Sequence, residues 1–192
     1  MGNRNINKLS LKPTRAFIAI TFPEAIIKEI SHIQSLINKK QFIGKTTELE
    51  NLHLTLKFLG EISQEKLEKV NSVLSEISFS EFQAKIESIG IFSRNNSPKI
   101  IWIKISSPEL SRLQKQIDNS LSLLFPKEER FMSHLTIARI KHVNSKLSLS
   151  NYIKRLPLKN LVFPITEFKF FSSELKPLGP IYKEIKNYHL KK

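Results

Sequence analysis

"ENLHLTLKFLG", residues 50–60, alternates Leu52, Leu54, Leu56 and Phe58 with His53, Thr55 and Lys57. That is the period of a strand with one apolar and one polar face. The polar face opens with an imidazole and a hydroxyl, which lie side by side because residues two apart on a strand are separated by about 6.6 Å. The pattern returns in "HLTIARI" (134–140), where His134 and Thr136 hold the places of His53 and Thr55.

Each copy is preceded by a strand and a helix. "RAFIAIT" (15–21) reads as a buried strand, and Pro23 with Glu24 opens a helix whose Ile26, Ile27, Ile30, Ile33 and Ile37 recur at helical spacing. In the second half "KIIWIKI" (99–105) is the strand, and Ser107 caps a helix with Pro108 at its first position. After the first copy Ser63 caps another helix and "FQAKIESIGIFSR" follows as a strand; after the second, "LSLSNYIKRL" and "EFKFFSSEL" repeat that order. Pro23 and Pro108 lie 85 residues apart, and His53 and His134 lie 81 apart. These offsets exceed solenoid periods, so two related lobes should close on a cleft. No proline- or serine-rich linker divides them. One bilobal domain is expected over residues 15–185, with a basic N-terminal extension over 1–14 and a basic tail over 186–192.

Among 192 residues, 40% are hydrophobic and 25% charged, which excludes a disordered chain. Thirty-one Lys and Arg against seventeen Asp and Glu give a formal charge of +14. Such a field draws polyanions, nucleic acid foremost. No cysteine is present, which removes disulfides, thiolate nucleophiles and sulfur-ligated zinc. Neither His-x-x-x-His nor a carboxylate-rich loop occurs, so no metal is expected. With Asp118 the sole aspartate and no Gly-x-Ser-x-Gly turn, a Ser–His–Asp triad is disfavoured. Two imidazoles and two hydroxyls around one cleft suit a small anionic group such as phosphate, one histidine acting as base and the other as acid. The apolar segments are too short for a signal-peptide core or a membrane span, so a cytoplasmic location without membrane contact is expected.

"NLHLTLKFLG" and "RFMSHLTIARI", with "RAFIAITFPE", "GIFSRNNSPKIIWIKI" and "SSELKPLGPIY", closely resemble the two-histidine phosphoesterases, specifically the RNA 2′,3′-cyclic phosphodiesterases once described as 2′-5′ RNA ligases. The resemblance covers roughly residues 15 to 185. It implies an α+β fold of two pseudo-symmetric lobes, each an antiparallel sheet with helices packed outside, around a central cleft and without a cofactor. It further implies His53 as proton donor, His134 as proton acceptor, Thr55 and Thr136 as phosphate hydrogen-bonders, and Arg139 as a substrate contact. Strict alternation puts Arg139 on the opposite face from His134, so a bulge or a strand end must turn it inward. Ser133 stands where the family often has proline, which should loosen the start of that strand. The implied substrates are RNA with 2′,3′-cyclic phosphate ends, tRNA halves among them, or small cyclic-phosphate nucleotides, acted on by a monomer.

Lys57 shares the face of His53 by alternation and reads as a solvated strand lysine. Phe17, Phe58 and Trp102 read as core, and "KEIKNYHLKK" as a solvated terminal segment. His32 and His189 receive no role. A noncatalytic RNA- or nucleotide-binding module on the same fold is the other reading, one in which charge rather than the histidine pairs would matter.

Overall fold

Alternating apolar residues give the central strands one buried face. Ile18 and Ile20 of β1 (Thr14–Ile20), Leu54 and Leu56 of β3 (Leu54–Ile62), Ile101 and Ile103 of β5 (Ser97–Ser106), and Leu135 and Ile137 of β6 (His134–Val143) all lie in one core. These positions come from a computed structural model, which describes residues 12–37, 42–177 and 179–192. Residues 1–11 of the expected N-terminal extension lie outside them.

The helices cover the core face. α1 (Glu24–Leu36) buries Ile26, Ile30 and Ile33; α2 (Gln64–Ser75) buries Val70 and Leu74; α3 (Pro108–Ser120) buries Leu110, Leu113 and Ile117; α4 (Lys146–Lys154) buries Leu149 and Ile153. Ser63 caps α2 by accepting the Lys66 N–H. Ser107 precedes α3 with Pro108 following, but its hydroxyl donates to Glu109 Oε2 at 2.7 Å instead of capping. Among the described residues, no helix is long and apolar enough to cross a membrane.

The expected two sheets are halves of one curled sheet. With β2 (Phe42–Thr46), β4 (Phe82–Arg94), β7 (Val162–Ile165), β8 (Glu167–Lys176) and β9 (Gly179–His189), its order is β7-β4-β5-β6-β3-β1-β8-β9, every neighbour antiparallel and β2 also pairing β6. The halves meet through the pair Leu54 and Leu135. They also exchange strands. β4, from the first half of the chain, pairs β5, while β8, from the second half, pairs β1. The β4–β5 hairpin turns on Asn95 and Asn96 at φ 49° and 59°, left-handed conformations that asparagine tolerates better than most residues.

Residues 186–192 are not a solvated tail. Lys186–His189 complete β9, Tyr188 and Leu190 are buried, and the Lys191 N–H donates to Phe79 O at 2.8 Å. Ser133 does not loosen β6 either, since its hydroxyl donates to Ile105 O at 2.6 Å.

Lys57 is also not solvated. β3 carries an extra residue at Leu56, where its pairing with β1 jumps from Thr55 to Lys57. The jump turns Lys57 into the core, 4% exposed, where its ammonium pairs with Asp118 of α3 and donates to Pro126 O at 2.8 Å. Asp118 accepts the Glu128 N–H at 3.0 Å as well. The pair thereby ties β3 to the segment leading into β6. Removing one partner of a buried ion pair strands the other charge, so Lys57→Met should lose about 3–5 kcal/mol in urea unfolding. The double variant Lys57→Met/Asp118→Leu should recover part of that loss.

Candidate active site

Both histidines stand at the start of a central strand, His53 just before β3 and His134 as the first residue of β6. Leu54 pairs with Leu135, so the antiparallel register sets His53 across from Thr136 and Thr55 across from His134. The leucines point into the core, and the four polar residues are left on the opposite, concave face.

The two rings are anchored alike. His53 Nδ1–H donates to Asn51 O at 2.7 Å and His134 Nδ1–H donates to Met132 O at 2.8 Å. A carbonyl only accepts, so the Nδ1 hydrogen is fixed on each ring and Nε2 remains for chemistry. Aromatic walls hold the ring planes. His53 lies 4.9 Å from the Phe17 ring and edge-on to Tyr182 at 5.1 Å, while Phe92 meets His134 edge-on at 5.0 Å.

The surroundings differ. Burial among Phe17 and Tyr182 holds His53 below the usual histidine range, the Asn51 carbonyl opposes the shift, and the positive charge of Arg139 and the neighbouring His134 ring add to it. Arg139 is thus near enough for its charge to act on the ring. An extra residue in β6, Ile137, faces no partner in β5, where Trp102 pairs Thr136 and Ile101 pairs Ala138. Ile137 and Ala138 are both buried, and Arg139 emerges exposed on the face of His134 and Thr136. A bulge thus supplies the inward turn that alternation alone denies.

Phe58 and Trp102 do not follow their expected roles as core residues. Phe58 is 67% exposed on the concave face, and Trp102 is half-buried, stacked on Phe92 at 5.0 Å across Gly90, whose place no larger residue could take without striking the indole. Phe17 is buried but forms a wall of the site. His32, His142 and His189 lie exposed elsewhere. Sequence reasoning missed Asn51, whose carbonyl anchors His53 while its side-chain amide donates to Pro180 O at 3.1 Å. A backbone acceptor leaves no trace in residue identity. Tyr182 was within reach, in the quoted stretch "SSELKPLGPIY". Among the described residues no three His, Asp or Glu side chains gather as metal ligands.

A curled antiparallel sheet that brings a histidine and a threonine from each half into one concave site is the architecture of a pseudo-symmetric phosphoesterase. The chain belongs to the LigT-like phosphoesterase family, whose profile matches residues 20–102 and again residues 103–182. A relative from Methanocaldococcus jannaschii, named RNA 2′,3′-cyclic phosphodiesterase, is 37% identical over 176 residues, 91% of this chain and 99% of the relative. One of the same name from Thermotoga maritima is 34% identical, covering 88% of this chain and 91% of its own. A crystal structure from Thermus thermophilus superposes with a TM-score of 0.80 at 26% identity, over 92% of this chain and 98% of that one. Escherichia coli LigT shares the fold, with a TM-score of 0.77 at 22% identity over 95% of this chain and 100% of that one.

By NMR titration, the His53 imidazole should be less than half protonated at the pH where an ordinary histidine is half protonated. Arg139→Ala, which removes a neighbouring positive charge, should raise its midpoint; an unchanged midpoint would place Arg139 away from the ring.

Proposed function

We propose that the chain hydrolyses terminal RNA 2′,3′-cyclic phosphates to 2′-phosphomonoesters. The matched presentation of two Nε2 atoms from opposite halves of one sheet carries this reading, and the curated relatives' shared name supports it. Displacement at phosphorus is in line, with nucleophile and leaving group on opposite sides, so an acid and a base must flank the phosphate. Water attacks phosphorus and His134 Nε2 takes its proton. The bond from phosphorus to the 3′ oxygen breaks, and His53 Nε2–H gives that oxygen a proton. Thr55 and Thr136 donate to the non-bridging oxygens, and Arg139 faces the same charge.

His53 must be protonated to donate, yet burial favours its neutral form in the free protein. An anionic diester beside the ring favours the imidazolium, so substrate binding itself arms the acid. With a 5′-hydroxyl in place of water, the same displacement joins RNA ends through a 2′-5′ link. The chain's own residues account for these proton transfers, and the protein is proposed to act as a cytoplasmic monomer. The bilobal domain is proposed as the catalytic unit, running from residue 15 beyond the expected boundary at 185 to include the end of β9 and the segment packed after it.

Turnover of a cyclic-phosphate dinucleotide in EDTA tests the activity; tight binding with no product would favour the noncatalytic module. General acid–base assistance is typically worth 10²- to 10⁴-fold, so His53→Ala and His134→Ala should each lose about that much, and the double variant less than the product. An activated leaving group should rescue His53→Ala alone; rescue of His134→Ala instead would reverse the assignments. Affinity for longer RNA should fall steeply with salt while dinucleotide turnover changes less, because only the longer ligand spans several Lys and Arg side chains.

A further inference from the structure

β6 changes partner along one edge. Its start meets β3 through Leu135, and from Ala138 onward it pairs β2. Ile137 lies at that junction, and it is also the extra residue with no counterpart in β5. A carbonyl inside the protein at such a break draws its donors from the neighbouring segments.

Gln34 of α1 supplies one. Its side-chain amide donates one hydrogen to Ile137 O at 2.9 Å and the other to Thr47 O at 2.8 Å. The Thr47 N–H closes the ring by donating to Ile137 O at 2.9 Å. Both amide hydrogens are thus spent on carbonyls of two different segments, and this also fixes the orientation of the amide. A helix from the first half of the chain thereby clamps the irregularity in a catalytic strand of the second.

We propose that Gln34 is a positioning residue, holding the Ile137 bulge that turns Arg139 into the cleft. The functional part of this inference rests on Arg139 contacting substrate; the structural part does not. Without the amide, the Thr47 N–H and the pairing with β2 hold the bulge from one side only, and the regular register that then competes sends the side chain of residue 139 to the other face.

The substitution must remove the donors without admitting water. Gln34 and Thr47 line a cavity of about 480 Å³ with Ser31, Ser35 and Glu48, so truncation to alanine would let water take over the bonds. Gln34→Met keeps the length and loses the donors, and Gln34→Glu keeps the shape but presents only acceptors.

The test measures kcat/KM on a 2′,3′-cyclic-phosphate dinucleotide and the His53 titration midpoint by NMR, in Gln34→Met, Gln34→Glu, Arg139→Ala and the double Gln34→Met/Arg139→Ala, each checked for folding by thermal melt. A misplaced group near the reacting phosphate costs up to about 100-fold, so Gln34→Met should lower kcat/KM by about 10- to 100-fold. It should move the His53 midpoint upward, as Arg139→Ala does, and the double variant should be no worse than Arg139→Ala alone. Losses that multiply in the double variant, or a folded Gln34→Met or Gln34→Glu with unchanged activity and midpoint, would overturn the proposal. If Arg139→Ala keeps full activity while Gln34→Met still moves the midpoint, the clamp stands and the substrate contact of Arg139 falls.

Discussion

One extra residue after the threonine in each central strand decides what faces the cleft. Leu56 in β3 and Ile137 in β6 occupy matching places, each directly following the threonine of a His-x-Thr pair. Up to the threonine both strands keep a period of two, with leucines inward and the polar pair outward. Past it the phase inverts. In β3 the inversion sends Lys57 to a buried aspartate and brings Phe58 out; in β6 it buries Ala138 and brings Arg139 out. The cleft thus has a cation on one side and an exposed aromatic ring on the other, although the two motifs that build it are alike.

The same inversion marks what could be read from the chain. The His-x-Thr pairs, the strand–helix–strand order and the near-constant offset are local patterns, and they implied two related lobes. Lys57 is misplaced by any reading that assumes strict alternation, because a bulge is created by the partner strand and leaves no residue type of its own. β7 and β9 escaped for another reason. Both are edge strands of the sheet order, where Pro164 costs no internal ladder bond and charged residues such as Lys183 and Lys186 guard an open edge, so their composition resembles loop or tail. β2 is five residues long and contains Gly44, too little for a periodic signal.

Matched anchoring and unmatched surroundings together explain how two similar histidines can take different tasks. The carbonyls of Asn51 and Met132 leave the same nitrogen, Nε2, of each ring free to face the cleft. Asn51 has a second tie, to Pro180 in the β8–β9 hairpin, and Tyr182 of β9 walls in the same ring. His53 is thus enclosed by residues from both ends of the chain. His134 is flanked by Phe92 of the hairpin beside it.

The exchange of strands sets the order in which a nascent chain can complete this molecule. β1 leaves the ribosome well before its outer neighbour β8, which is made only after residue 166, and the hairpin that walls His53 comes later still. Until then one edge of β1, with the buried side chains of Phe17 and Ile18, has nothing to pair with. Within the first half β4 has no partner of its own, since β5 and β7 both follow it in the chain. The cleft is therefore finished only once β8 and β9 have been made, and a polypeptide interrupted before β8 exposes apolar strand edges.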